Sequence, residues 1–268
     1  MISSRTIGFS IAFAIVGAML FITGCGGGGG GPNYPRPTLP AGAVVFDSSN
    51  SLTMANSAIN NSGYVGTVAK EQHAVSSVKD VTDLIVTQLV GGQQSSSIVT
   101  GATQIVPCTD GGNITLTING NDSSASGSFS FNNCIEGVIT VNGTFAFDGS
   151  ANNAGDFNFN GGGSITVSDT SDSTSITMVM RFSESGNISG TITLSFSFSI
   201  DGLPGGGFLV ETTQPFVGTI SGVTSGQLMV TGGNNTRIRI DITGFTTADV
   251  YLDINDGNSF IFQGSITI

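Results

Sequence analysis

From about residue 93 to the end of the chain, apolar residues fall at every second position. Ile114, Leu116 and Ile118 alternate with Thr115 and Thr117, and Phe129 and Phe131 alternate with Ser128 and Ser130. The longest run is Ile188, Gly190, Ile192, Leu194, Phe196, Phe198 and Ile200, and the last is Phe260, Phe262, Gly264, Ile266 and Ile268. A period of two describes a strand with one dry face and one wet face. There are about twelve such stretches, separated by polar turns, which reads as antiparallel hairpins. The turns include Asn119-Gly120-Asn121-Asp122, Asp201-Gly202 and Asn255-Asp256-Gly257-Asn258. No helical pattern long enough for a parallel crossover interrupts the series. A short motif of Gly, Ser/Thr and apolar residue recurs at Gly127, Gly143, Gly163, Gly190 and Gly264, at unequal intervals that exclude a solenoid with a fixed rung. In each copy the glycine shares the apolar parity. The expectation is a mainly β, strongly curved antiparallel sheet that closes into a barrel or folds into a sandwich.

Residues 43–92 have a different texture. Val75, Val78, Val81, Ile85 and Leu89 recur at three and four residues, with Lys79, Asp80 and Asp83 mainly off that stripe. The spacing predicts an amphipathic helix over 68–89, ended by Gly91-Gly92, which places the chain's one histidine, His73, on a helix surface. Leu52, Ala55 and Ile59 predict a shorter helix before it. Ahead of both, six glycines (Gly26 to Gly31) and a proline-rich stretch to Pro40 form a spacer. Those fifteen residues reach at most about 50 Å. They lack the strand and the Gly-Lys-Ser/Thr ending of a phosphate-binding loop.

The first 24 residues hold one charge, Arg5, then an apolar run from Ile7 to Phe21, and end in Ile22-Thr23-Gly24 before Cys25. A short positive head, an apolar run of this length and a small residue at the cut site describe a signal peptide. With cysteine next, the segment resembles the lipobox of bacterial lipoproteins. The resemblance implies diacylglycerol on the Cys25 thiol, removal of residues 1–24 and an acylated new amino terminus. It covers about a tenth of the chain and implies a sorting class, not an activity. Gly26 stands where an aspartate would favour inner-membrane retention, so the resemblance points to the outer membrane of the cell envelope. The domains expected are a leader (1–24), an anchored tether (25–42), a helical segment (43–92) and an antiparallel β domain (93–268).

Charge narrows the partners. Seven cations less Arg5 stand against 18 acids, a net −12 for the processed chain, which repels phosphate backbones and excludes nucleic acid. With Cys25 committed to the anchor, Cys108 and Cys134 remain as a pair in an exported protein, which predicts a disulfide. Two cysteines are too few for a metal site, and no cofactor is implied.

Little in the chain suggests catalysis. His73 lies outside the β region, no Gly-x-Ser-x-Gly elbow occurs, and Asp253-Ile-Asn-Asp-Gly257 has its glycine in the wrong place for a calcium loop and no closing glutamate. That stretch and Asp169-Thr-Ser-Asp172 read as turns. Fourteen of the eighteen phenylalanines lie in the β region. Phe129, Phe131, Phe145, Phe147, Phe196, Phe198, Phe260 and Phe262 share the apolar parity, either as packed core or as the lining of a cavity for a lipid or other apolar ligand. A transmembrane barrel with Phe turned to lipid is a third arrangement, opposed by the absence of Trp, three Tyr in all and a terminal Ile268. The expected function is a non-enzymatic, membrane-anchored structural or binding module for an envelope or surface polymer or protein. Replacing Cys25 by alanine should leave the precursor uncleaved. Intact-mass measurement should then show no acyl mass at residue 25, whereas the parent chain carries it.

Overall fold

The computed structural model describes residues 34–61, 102–121, 124–152, 154, 156–187, 190–219, 222–255 and 257–268. The lipobox, Cys25 and the helix expected over 68–89 lie outside them. The short helix is present as α1, Ser51–Asn61. Twelve strands follow: β1 Ala102–Pro107, β2 Gly111–Asn121, β3 Ser124–Glu136, β4 Ile139–Ala151, β5 Asp156–Asp169, β6 Thr174–Asn187, β7 Ile192–Asp201, β8 Phe208–Thr219, β9 Gly222–Thr231, β10 Arg237–Gly244, β11 Thr247–Asp253 and β12 Ile261–Thr267. They form one antiparallel sheet in simple chain order, each strand paired with the next. Of the turns named from the sequence, Asp201-Gly202 begins the connection from β7 to β8 and Asn255, Gly257 and Asn258 lie between β11 and β12, whereas Asn119, Gly120 and Asn121 are the last residues of β2. Gly190 is the exception among the motif glycines: it lies in the β6–β7 turn, and β7 begins only at Ile192.

Among the described residues β1 pairs only with β2 and β12 only with β11, so hydrogen bonds do not close the sheet. Its apolar face is nevertheless sealed: Phe145, Val210, Leu228, Ile238, Ile240 and Val250 have no exposed surface. The 11-residue helix α1 packs mainly against β10, β11 and β12. The sheet therefore curls with its apolar face inward, and one continuous core runs from Ile114 to Ile266.

Glycine and phenylalanine interlock across this inner face. Gly127 is the cross-strand partner of Phe147, Gly161 of Phe182, and Gly149 of Phe159. A Cβ at any of the three would come within 2.6 Å of the partner ring. Each ring thus lies over a position with no side chain, and the rings then meet one another, Phe129–Phe147 at 5.7 Å, Phe147–Phe159 at 5.7 Å and Phe159–Phe182 at 5.5 Å. Gly143 and Gly163 serve differently. A Cβ there would sit 2.1 Å from the backbone oxygens of Ser164 and Thr144, so the backbone of the paired strand lies too close for any side chain, and Gly143 also has φ +131°. The other face is polar, with cross-strand pairs such as Ser130–Thr144 (3.1 Å), Thr166–Thr177 (2.9 Å) and Ser168–Ser175 (3.0 Å).

Residues 34–50 form a strap. Tyr34 is buried on the polar face, where its hydroxyl donates to Asp148 and its Cβ covers Gly162. Pro40 reaches Gly207, the Val44 amide donates to the Gly207 carbonyl (2.9 Å), and the Gly233 amide donates to the Val44 carbonyl (2.6 Å). Phe46 then enters the core, its amide donating to Thr236 Oγ1 (2.9 Å), and α1 follows with Ala55, Ala58 and Ile59 inward. The stretch expected to be free spacer as far as Pro40 is thus docked from Tyr34 onward.

Gly163→Ala should destabilise the fold by about 1–3 kcal/mol, because backbone must move to admit the methyl. Gly257 has open space around it, and Gly257→Ala should change stability by less than about 0.5 kcal/mol. Urea midpoints of the two variants against the parent measure the difference.

Candidate functional site

On β10, Ile238, Ile240 and Ile242 point into the core, which leaves Arg237, Arg239 and Asp241 on the polar face. On β11, Ala248, Val250 and Leu252 point in, and Asp249, Tyr251 and Asp253 alternate to the polar side, where Asp253 is buried. Pairing sets these side chains in rows across the strands: Arg237 beside Asp253, Arg239 beside Tyr251, and Asp241 between Gln227 of β9 and Asp249. A bulge completes the second row. Gly264 pairs with Val250, but Phe262 pairs with Tyr251, so the intervening Gln263 reverses the alternation along β12.

That bulge corrects the sequence expectation for two lining residues. Phe262 is 55% exposed and packs edge-on against Tyr251 at 5.5 Å. Phe260 lies beside the guanidinium groups of Arg239 (4.9 Å) and Arg237 (5.5 Å). Both belong to the polar face, not to the core. Arg239 also covers the Tyr251 ring at 4.3 Å. The other six named phenylalanines are on the inner face: Phe129, Phe131, Phe145, Phe147 and Phe198 are buried, and Phe196 is partly buried against Phe216 (5.5 Å).

Two of the three aspartates in this cluster pair with its two arginines. Arg237 Nη2 donates to Asp253 Oδ2 (2.5 Å), and Arg239 lies 3.2 Å from Asp241. Gln227 Nε2 donates to Asp241 (2.8 Å), and Ser265 donates to Asp249 (2.6 Å). Asp253 closes the β11–β12 turn by accepting the amides of Asn255 (3.2 Å) and Asn258 (3.1 Å), the hairpin role expected for this stretch. Burial works against its charge, but the Arg237 hydrogen bond, those amides and the Arg237 charge hold its carboxyl below the ordinary aspartate range. Side-chain exposure is 19% for Arg237, 27% for Arg239 and 28% for Asp241, less than that of the neighbouring Phe262 ring. The ring, not the ion pairs, is what this face turns outward.

At the end of the sheet where β1 meets β2, Cys108 and Cys134 lie at disulfide distance, with Cα atoms 5.4 Å apart. A bulge at Asn132-Asn133 turns Cys134 inward after Phe131. A bond between them would close a loop worth about 3–4 kcal/mol on the chain-entropy estimate. The Glu136 carboxylate lies within 4.8 Å of both sulfurs and accepts the Thr109 amide (3.0 Å). Asp169 and Asp172 cap the β5–β6 turn through Ser171 and Thr174, with Asp169 more buried than a solvated loop would have it.

One inward acid escaped the sequence reading. Glu184 follows Met178, Met180 and Phe182 on the inner parity of β6, cross-strand from Phe159 and Leu194, and is 7% exposed. Burial among these groups pushes its carboxyl up to about 7. No protein-family profile, curated protein or solved structure matches the chain.

Glu184 makes stability depend on pH. Below the ordinary glutamate pKa it is neutral in both the folded and unfolded chain and has no effect. As pH rises towards 7 the unfolded chain ionises first, and stability falls by on the order of 3 kcal/mol before levelling off. Glu184→Gln should therefore raise the melting temperature at pH 8 and leave it nearly unchanged at pH 4. Thermal melts at the two pH values measure this.

Proposed function

We propose that the chain is an exported lipoprotein, held at the outer membrane through acylated Cys25, whose β domain is a non-catalytic binding module of the cell envelope. The anchor rests on the lipobox. The module reading rests on the filled inner face. Phe129, Phe147 and Phe198 are 2% exposed and Phe145 is 0% exposed. A ligand-sized cavity would let a water-sized sphere touch its lining, so these values favour a packed core over an apolar carrier. They also oppose a transmembrane barrel, which turns its apolar residues out to lipid. The polar face, with its hydroxyl pairs and its aromatic cluster, then carries the interaction.

The test is organic extraction of the purified, processed protein followed by lipid mass spectrometry. The expected result is no lipid beyond the acyl chains on Cys25. A stoichiometric co-purifying lipid would overturn the module reading in favour of a carrier.

A further inference from the structure

We propose that the outer face of β10–β12 around Phe262 is a binding site for an uncharged polysaccharide. The proposal rests on the module reading above and gives that module a site and a ligand class.

Exposed large apolar side chains within the described strands occur only at the two sheet edges, Ile105 on β1 and Ile261 and Phe262 on β12. Of these, Phe262 alone stands in a row of rings and polar groups. Tyr251 is beside it, Arg239 covers Tyr251, and Phe260 packs against Arg239. The next row holds Gln227, Asp241, Asp249 and Ser265, all with hydrogen-bonding side chains. An exposed ring bordered by such groups matches the two chemistries of a pyranose, whose axial C–H face packs on an aromatic ring while its hydroxyl rim donates and accepts hydrogen bonds.

Charge selects against other ligands. Arg237 and Arg239 are already paired with Asp253 and Asp241, and Arg239 is also covered by ring. A polyanion would have to break those pairs and would also meet a chain of net charge −11. A cationic peptide would find two of the three carboxylates already paired, Asp241 with Arg239 and Asp253 with Arg237. A lipid chain laid on Phe262 would take the Gln227, Asp241 and Asp249 side chains out of water and offer them no hydrogen bond beyond those they already make. A neutral polyhydroxylated chain satisfies all three conditions.

The full chain, purified in detergent micelles, can be run on native gels containing dextran, glycogen, mannan or laminarin, with alginate as the polyanion control. At least one of the four uncharged polymers should retard it. Phe262→Ala and Tyr251→Ala should weaken that retardation at least tenfold, while Phe262→Tyr and Thr177→Ala on β6 retain it. Circular dichroism of each variant checks folding. Three results would each overturn the proposal: no retardation by any uncharged polymer, retardation by alginate alone, or retardation that survives Phe262→Ala. Dimerisation abolished by Phe262→Ala would also overturn it, by assigning the ring to a second copy. Lipid mass spectrometry on the same preparation separates these failures from failure of the module reading.

Discussion

A single sheet of twelve strands has one apolar face, and that face must be taken out of water. An 11-residue helix on β10–β12 cannot cover it. Among the described residues the sheet itself supplies the rest of the cover by bending, and the local structure serves that bend. Where β4 pairs with β5, Gly143 and Gly163 allow backbones to approach within a distance no side chain permits. Where bending would open gaps, phenylalanine rings lie over cross-strand glycines and touch the next ring along. Gly127, Gly149 and Gly161 and the phenylalanines that lie over them are two halves of one packing device.

Strand number, strand direction and the identity of most inward residues were legible because a period of two is imposed by the pleat itself. What the period cannot register is an extra residue. Gln263 on β12 reverses the alternation, so Phe262 lies with Tyr251 outside although it shares parity with Ile266 inside. A similar bulge at Asn132-Asn133 turns Cys134 inward. Bulges leave no reliable mark in one sequence, because their cause is a mismatch between two strands. Glu184 is a different kind of omission. Its place after Met178, Met180 and Phe182 was visible, and an acid at an apolar position is itself a signal. The Arg237-Ile238-Arg239-Ile240-Asp241 alternation was equally open to reading. The aromatic partners of those arginines, however, come from separate strands and turns.

The polar face is not uniform. Across β2–β7 it is largely hydroxyl and amide side chains bonded to one another between strands. Across β9–β12 it gathers two arginines, three aspartates and three aromatic rings. Both regions obey the same alternation, so the difference is not required by folding. It concentrates chemistry at one edge of a sheet whose remaining surface is chemically plain.

The strap has a mechanical consequence. The chain before Tyr34 joins the described fold where that tyrosine is held on the polar face by Asp148 and Gly162, within β4 and β5. Tension arriving from the amino-terminal side is therefore delivered to the interior of the sheet, not to a free edge strand that could be peeled away one hydrogen bond at a time. The first contacts loaded are the Tyr34 ring and its hydroxyl. After them come the Val44 links to Gly207 and Gly233, and then Phe46, seated in the core. Successive attachments of this kind work as a strain relief, yielding in sequence while the twelve-stranded sheet behind them keeps its register.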